Sequence, residues 1–325
     1  MAELSLRRTR LSTATRELTR QIRLSSGQFI QPLFVVQGIS EREAIPSLKD
    51  TWRDTSLSLL KQIDKDMNEG IKKFLLFGVP AKKNETEFDH QFIVDRICDI
   101  KNEFGKDIWL AVDVCLCSNT THGHCGILNE TGDTILNGPS VSALSSAAEL
   151  YASAGADCVA PSDMMDGRIA AIRDALNLSQ NEKTLIMSYS AKFDSGFYGP
   201  FRIAADSTPD NEILLNGRSS YQIDPGRPND ALLSAMRDAD EGADILMVKP
   251  GMPYLDILKT LSSKIPLPWA IYQTSGESAG IELTSKYNLG NRQRLYVETW
   301  TSMLRAGANM IISYAARSAP KWLNH

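Results

Sequence analysis

Nowhere does the 325-residue chain approach the ~18 consecutive apolar residues that span a bilayer. Its first stretch, MAELSLRRTRLSTATRELTRQIRLSS, is basic and polar with no apolar core, which argues against a secretory signal and for a cytoplasmic protein. Positive charge is not in excess either. The 35 Lys and Arg against 39 Asp and Glu leave a net −4, so nucleic acid is not an expected partner, and no membrane is. No GxGxxG or Walker pattern follows the first apolar strand, which weakens a nucleotide-binding reading. Histidines number four and cysteines five, too few and too unevenly placed for a disulfide framework.

What the chain does have is ordinary globular composition, 42% apolar and 23% charged, with one unusual concentration. DVCLCSNTTHGHCG, 113–126, holds Cys115, Cys117 and Cys125 together with His122 and His124. Cys98 and Cys158 stand alone in apolar patterns and read as buried thiols. A C-x-C-x7-C spacing offers three soft ligands suited to zinc. Catalytic zinc, structural zinc with a histidine as fourth ligand, and no metal all stay open. The alternation of the first two cysteines along a strand reaching an active-site rim favours the catalytic case.

Four segments share one design: MNEGIKKFLLFGV, YASAGADCVAPS, ADEGADILMVKP and LRAGANMIISYAA. In each a helical pattern ends at a glycine (Gly70, Gly155, Gly242, Gly307) and an apolar strand follows. Glycine closes a helix in the left-handed conformation without a Cβ clash. Near-continuous apolar strands suit a parallel sheet covered on both faces. Eight are expected, at 29–36, 73–79, 108–116, 157–162, 184–190, 244–250, 268–275 and 310–316. Helices lie between them, one of them opened by Asn229 as its cap. The fold class is therefore α/β, a (β/α)8 TIM barrel, rather than an open doubly wound sheet.

A bare barrel needs about 250 residues. The surplus divides into an arginine-rich N-terminal arm, 1–25, expected to pack on another subunit, and a long segment, about 194–228, after the fifth strand. The barrel domain spans 26–325. Long insertions in compact domains are lids or disorder, and the aromatics and arginines here favour a lid.

Active sites of such barrels gather at the C-terminal strand ends. Those ends supply Asp113, Cys115 and Cys117, then Ser162 and Asp163, then Ser188, Tyr189 and Lys192. Lys249, Gln273, Ser275, Ser313 and Tyr314 complete the roster. Two lysines at neighbouring strand ends are the informative pair. In one pocket each cation would depress the other, and desolvation would help leave an amine able to attack a carbonyl.

Together DVCLCSNTTHGHCG, APSDMMDGR, MSYSAKF, FYGPFR and DILMVKPGMPYLDI resemble the porphobilinogen synthase (5-aminolevulinate dehydratase) family, in the family's order from about Arg7 to Tyr314. The resemblance implies an octamer-forming, zinc-dependent barrel enzyme that condenses two 5-aminolevulinate molecules to porphobilinogen in haem and other tetrapyrrole synthesis. It implies Lys249 as the Schiff-base lysine of one substrate and Lys192 as its partner at the second. Cys115, Cys117 and Cys125 match the zinc ligands. Arg202 and Arg218 match lid arginines holding one substrate carboxylate, Ser275 and Tyr314 the holders of the other. Gln222 matches a lid residue, and Asp113 and Asp163 match polar residues lining the pocket. Some members carry an activating magnesium. Asp238 and Glu241 lie in the matching region, without an assignable ligand set.

Departures accompany the likeness. Ser278 and Gly280 stand where the family usually has an aromatic and a methionine, thinning the wall behind Ser275. IPSLKD replaces IPSMPG, with the expected loss of a turn. Gly217 and Ser219 flank Arg218 in place of an aspartate and a basic residue. Two rival readings are a class I aldolase-like Schiff-base lyase with a structural zinc, and a non-catalytic barrel that stores or senses metal.

Overall fold

All four joint glycines have positive φ: +98° at Gly70, +106° at Gly155, +101° at Gly242 and +122° at Gly307. Each closes a helix where a side chain would be strained, and a strand follows within a few residues. The structure, a computed structural model, describes residues 6–210 and 214–323.

Its strands are β1 (Phe29–Val36), β2 (Glu43–Ala44), β3 (Trp52–Asp54), β4 (Lys73–Val79) and β5 (Trp109–Val114). They continue with β6 (Cys158–Pro161), β7 (Leu185–Lys192), β8 (Ile245–Lys249), β9 (Trp269–Gln273) and β10 (Met310–Ser313). β1 and β4 to β10 pair in parallel in sequence order, and β10 returns to β1 through Phe29↔Ile311 and Ile30↔Ile312. That closure makes the (β/α)8 barrel. The short β2 and β3, absent from the sequence expectation, form an antiparallel hairpin laid beside β1. Two- and three-residue strands carry too little alternation to be read from sequence.

Successive strand residues face opposite sides. Ile30, Phe34, Leu75, Phe77, Ala111, Met187, Met247 and Tyr272 form one buried cluster. We read it as the barrel interior. Leu33, Val35, Leu76, Val112, Ile186, Leu246 and Ile271 belong to a second cluster that includes the helix residues Leu59, Ile97, Leu144, Ile172 and Trp300. Both faces of the eight barrel strands are covered, which is why those strands read as continuous apolar runs.

Several local expectations need correction. Helix Pro228–Asp240 starts one residue before Asn229; Arg227 is its cap and Pro228 its first residue, where a missing N–H costs nothing. The segment replacing IPSMPG keeps its turn, because Ser47 and Asp50 themselves adopt φ +66° and +57°. The described part of the segment expected as a lid contains a 3₁₀ turn, Gly196–Tyr198, and a short helix, Gly199–Ala204; residues 211–213 of that expectation lie outside the described residues. Tyr198, Phe201, Ala204 and Ala205 of this lid segment are buried. Of the arm, residues 6–25 are described, and Leu6, Leu11 and Leu18 are 70%, 69% and 81% exposed.

Candidate active site

β7 and β8 bring the two lysines side by side, in register as Lys192↔Lys249. Simple alternation from Met187 and Tyr189 would turn Lys192 out toward the helices. A register shift between Ser188 and Ala191 reverses the parity, so Ala191 joins the outer cluster and Lys192 faces the same side as Tyr189. Both amines lie over the Tyr189 ring, Lys249 Nζ at 4.9 Å and Lys192 Nζ at 5.7 Å from its centroid. Tyr272 at 4.0 Å, Phe201 at 4.8 Å and Tyr198 at 5.6 Å complete a cage around Lys249 Nζ. Lys192 Nζ also donates to the Ser162 carbonyl. The lysines are 3% and 5% exposed, so water is largely excluded.

Burial, then the charge of Lys192, push the Lys249 amine down to about 7, against the pull of Asp113. Burial likewise raises Asp113 to about 6, opposed first by Lys249. Its Oδ1 has no hydrogen-bond partner, nor has the Tyr189 hydroxyl. Asp163 is fully buried and pushed up to about 6 by that burial, against the pull of Arg168. One of its oxygens accepts the Met165 N–H at 2.6 Å, and the other lies 3.6 Å from Arg168 Nε.

The cysteines converge by a different route from the one their spacing suggests. β5 ends at Val114, and Cys115 and Cys117 occupy the turn beyond it. The three sulfurs nonetheless lie within 4.8 Å of one another, with Cys115 and Cys117 Sγ 3.4 Å apart. Three soft donors at that spacing fit a zinc-like ion with an open position. Among the described residues, this trio is the one group of three or more His, Cys, Asp or Glu donors close enough for a metal. Neither histidine joins it. The Nδ1 of His122 accepts the His124 N–H, and the His124 ring contacts Leu215 and Tyr221 of the lid.

Arg218 is 3% exposed and donates to the Gly123 and Ser207 carbonyls at 3.0 and 2.8 Å, bridging the cysteine loop and the lid. Burial works against its charge, but the neighbouring thiols Cys125 and Cys117 reverse that and raise its pKa. Burial, then Arg218, lowers the pKa of Arg202. The Nε atoms of both arginines are buried without partners, as are both amide atoms of Gln222. Ser275 Oγ accepts the Phe201 N–H at 2.9 Å, pinning the lid, and Tyr314 OH meets Tyr272 OH at 3.2 Å. Behind Ser275, the Ser278 hydroxyl is buried without a partner, and a Cβ on Gly280 would meet only open space.

Three strand-end residues of the sequence roster face the helices instead. Ser188 donates to Asp238 at 2.6 Å, and Gln273 Oε1 accepts from Trp300 and Ser313 at 3.0 and 2.7 Å. Asp238 is paired with Arg168 at 3.0 Å and Arg237 at 3.2 Å, and Glu241 lies 3.8 Å from Arg237. Guanidinium groups thus surround the acids in the region matched to magnesium. Sequence reasoning missed Tyr272, Glu277 and Arg168. Glu277 accepts N–H groups from Thr274, Gly251 and Met252, so it ties the turn after Lys249 to the Ser275 helix. The TxxE capping pattern of Thr274 and Glu277 was the available signal. A groove of about 910 Å³ elsewhere is lined by Arg42, Lys61, Lys65 and Arg317. Its arginines are already matched by Asp54 and Asp66.

Fold and site define a (β/α)8-barrel enzyme with two buried amines and a trio of converging cysteines. The family model for delta-aminolevulinic acid dehydratase matches residues 3–322. The delta-aminolevulinic acid dehydratase of Bacillus subtilis is 40% identical over 98% of this chain and 97% of its own length. That of Helicobacter pylori is 41% identical over 98% of each. The Toxoplasma gondii enzyme, solved with its reaction product porphobilinogen, superposes with a TM-score of 0.93 at 36% identity, covering 98% of this chain and 91% of that one. This chain belongs to the delta-aminolevulinic acid dehydratase family, and is a hydro-lyase.

Proposed function

We propose that this chain condenses two 5-aminolevulinate molecules to porphobilinogen with loss of two waters, feeding tetrapyrrole (haem) synthesis. The observation that carries the reading is the pair of buried amines, Lys192 and Lys249, over one tyrosine ring.

Lys249, whose amine burial and the Lys192 charge bring down to about 7, attacks the ketone carbon of one substrate and forms a C–N bond. The carbinolamine oxygen takes a proton and leaves as water, giving an imine whose protonated nitrogen is an electron sink. Asp113, near neutrality in its titration, is suited to carry that proton. Lys192 serves the second substrate in the same way, and Asp163 lies on the adjoining β6 loop. Arg202 and Arg218, each with an unpartnered buried Nε, are donors for one carboxylate, with Gln222 beside them on the lid. Ser275 and Tyr314 are assigned the other carboxylate.

Cys115, Cys117 and Cys125 would hold the zinc. When bound, it supplies a Lewis acid that orients the second substrate's amine or carbonyl oxygen. The His124 ring, engaged by Leu215 and Tyr221, and the position of His122 outside the cysteine group favour this open site over a closed structural one. The exposed leucines of the arm support contact with further copies, and we propose a homo-octamer in the cytoplasm.

Borohydride reduction in the presence of 5-aminolevulinate, followed by peptide mapping, tests the assignment. The expected adduct is on Lys249, lost in Lys249→Ala while the circular-dichroism spectrum is kept. An unmodified Lys249, or an adduct that appears only with other keto acids, rejects it.

A further inference from the structure

The cysteine loop and the lid are joined by a set of contacts that catalysis does not by itself require. The His124 ring reaches across to the lid with both nitrogens, Nε2 to the Leu215 carbonyl at 3.1 Å and Nδ1 to the Tyr221 hydroxyl at 3.2 Å. A carbonyl only accepts, so Nε2 carries the proton and Nδ1 accepts from Tyr221. Around this ring the Asp210 N–H donates to the His122 carbonyl at 3.1 Å, and the Leu215 N–H to the Gly132 carbonyl at 3.0 Å. Arg218 reaches the Gly123 carbonyl at 3.0 Å. Gly123 has φ +72°, and a Cβ there would stand 2.5 Å from the Thr208 carbonyl oxygen. The lid therefore sits against the backbone between the second and third cysteines as closely as a bare glycine permits.

We propose that His124 is a positioning residue that clamps the lid to the cysteine loop. Geometry at the sulfurs and the seating of Arg218 and Gln222 are then set by one joint. The ring reads as a metal ligand in sequence because it adjoins Cys125, yet both nitrogens are engaged by the lid. Loop conformation that suits three converging sulfurs also presents His124, His122 and Gly123 to the lid, so order in either part favours order in the other. The coupling to metal rests on the assignment of zinc to the cysteines; the clamp does not.

Hydrogen exchange of the full chain, with and without added zinc chloride, separates the two. In the native protein zinc should slow exchange at 205–210 and 214–223. His124→Ala should speed exchange in these segments about tenfold with zinc present, and Tyr221→Phe, which deletes one hydroxyl, by a smaller factor. His124→Gln, whose amide can still donate to Leu215 and accept from Tyr221, should restore most of the protection. Zinc affinity, read by competition with a chromophoric chelator, should fall about tenfold in His124→Ala and recover in His124→Gln. Lid exchange that is unchanged in both His124→Ala and Tyr221→Phe overturns the clamp. Should His124→Ala not fold, the Tyr221→Phe and His124→Gln pair decides it alone. A native chain that takes up no zinc removes the metal assignment, while the exchange comparison still judges the clamp.

Discussion

Lys249 ends its strand inside four aromatic faces, with one cation beside it and one carboxylate nearby. Both largest influences, desolvation and the Lys192 charge, disfavour its ammonium form and bring the amine to about 7. Only the neutral amine attacks a carbonyl, and its fraction grows as pH rises through that value. Below about pH 7 the rate of imine formation should fall about tenfold per unit. A profile flat from about pH 5 to 8 would show that Lys249 is not the titrating nucleophile. Arg168 is a residue of the opposite kind, fully buried and facing Asp163 and Asp238. Its truncation to Met would leave the buried Asp163 without a guanidinium and Asp238 with Arg237 alone. Denaturant unfolding should show a loss of about 3–5 kcal/mol. A loss under about 1 kcal/mol would mean that water or Arg237 replaces it.

At the level of elements, the lid rests on the helix Ser275–Lys286 as well as on the cysteine loop. A Cβ on Gly276 would come within 2.8 Å of the Phe197 backbone, which has no flexible end to swing away. Gly276→Ala should therefore displace the 3₁₀ turn rather than the barrel, at a cost of about 1–3 kcal/mol. Because Phe201 of the lid lies 4.8 Å from Lys249 Nζ, kcat/KM should drop about tenfold or more while the melting temperature falls by only about 2–6 °C. Normal kinetics in that variant would show that the lid accommodates the shift. Glu277, one residue on, holds the turn after β8 by accepting the Gly251 and Met252 N–H groups and caps its own helix through the Thr274 N–H, so Lys249 is braced from the same helix that seats the lid.

Across the whole molecule, the cysteine site adjoins the barrel without replacing its core: Cys117 and Cys125 belong to the outer apolar layer, but strands and helices supply most of that layer. On the reading that the cysteines hold a catalytic zinc, a chelator should abolish porphobilinogen formation while the far-ultraviolet circular dichroism is retained, and added zinc should restore turnover. Loss of the helical signal on chelation would make the metal structural instead.

Local patterning by itself determined the barrel. Eight apolar strands and four glycine-closed helices follow from short-range rules, because covered parallel strands and left-handed caps leave marks within a dozen residues. The motifs around Lys192, Lys249 and the cysteines were equally legible, and they placed the chain in its family. Tertiary structure alone decided which way strand-end residues point. Ser188, Gln273 and Ser313 sit at rim positions yet serve the helix layer, and Lys192 faces Tyr189 only because β7 shifts register against its neighbour. Side-chain parity depends on hydrogen bonding to an adjacent strand distant in sequence, as does the meeting of His124 with a lid some ninety residues on. No local pattern encodes such pairings.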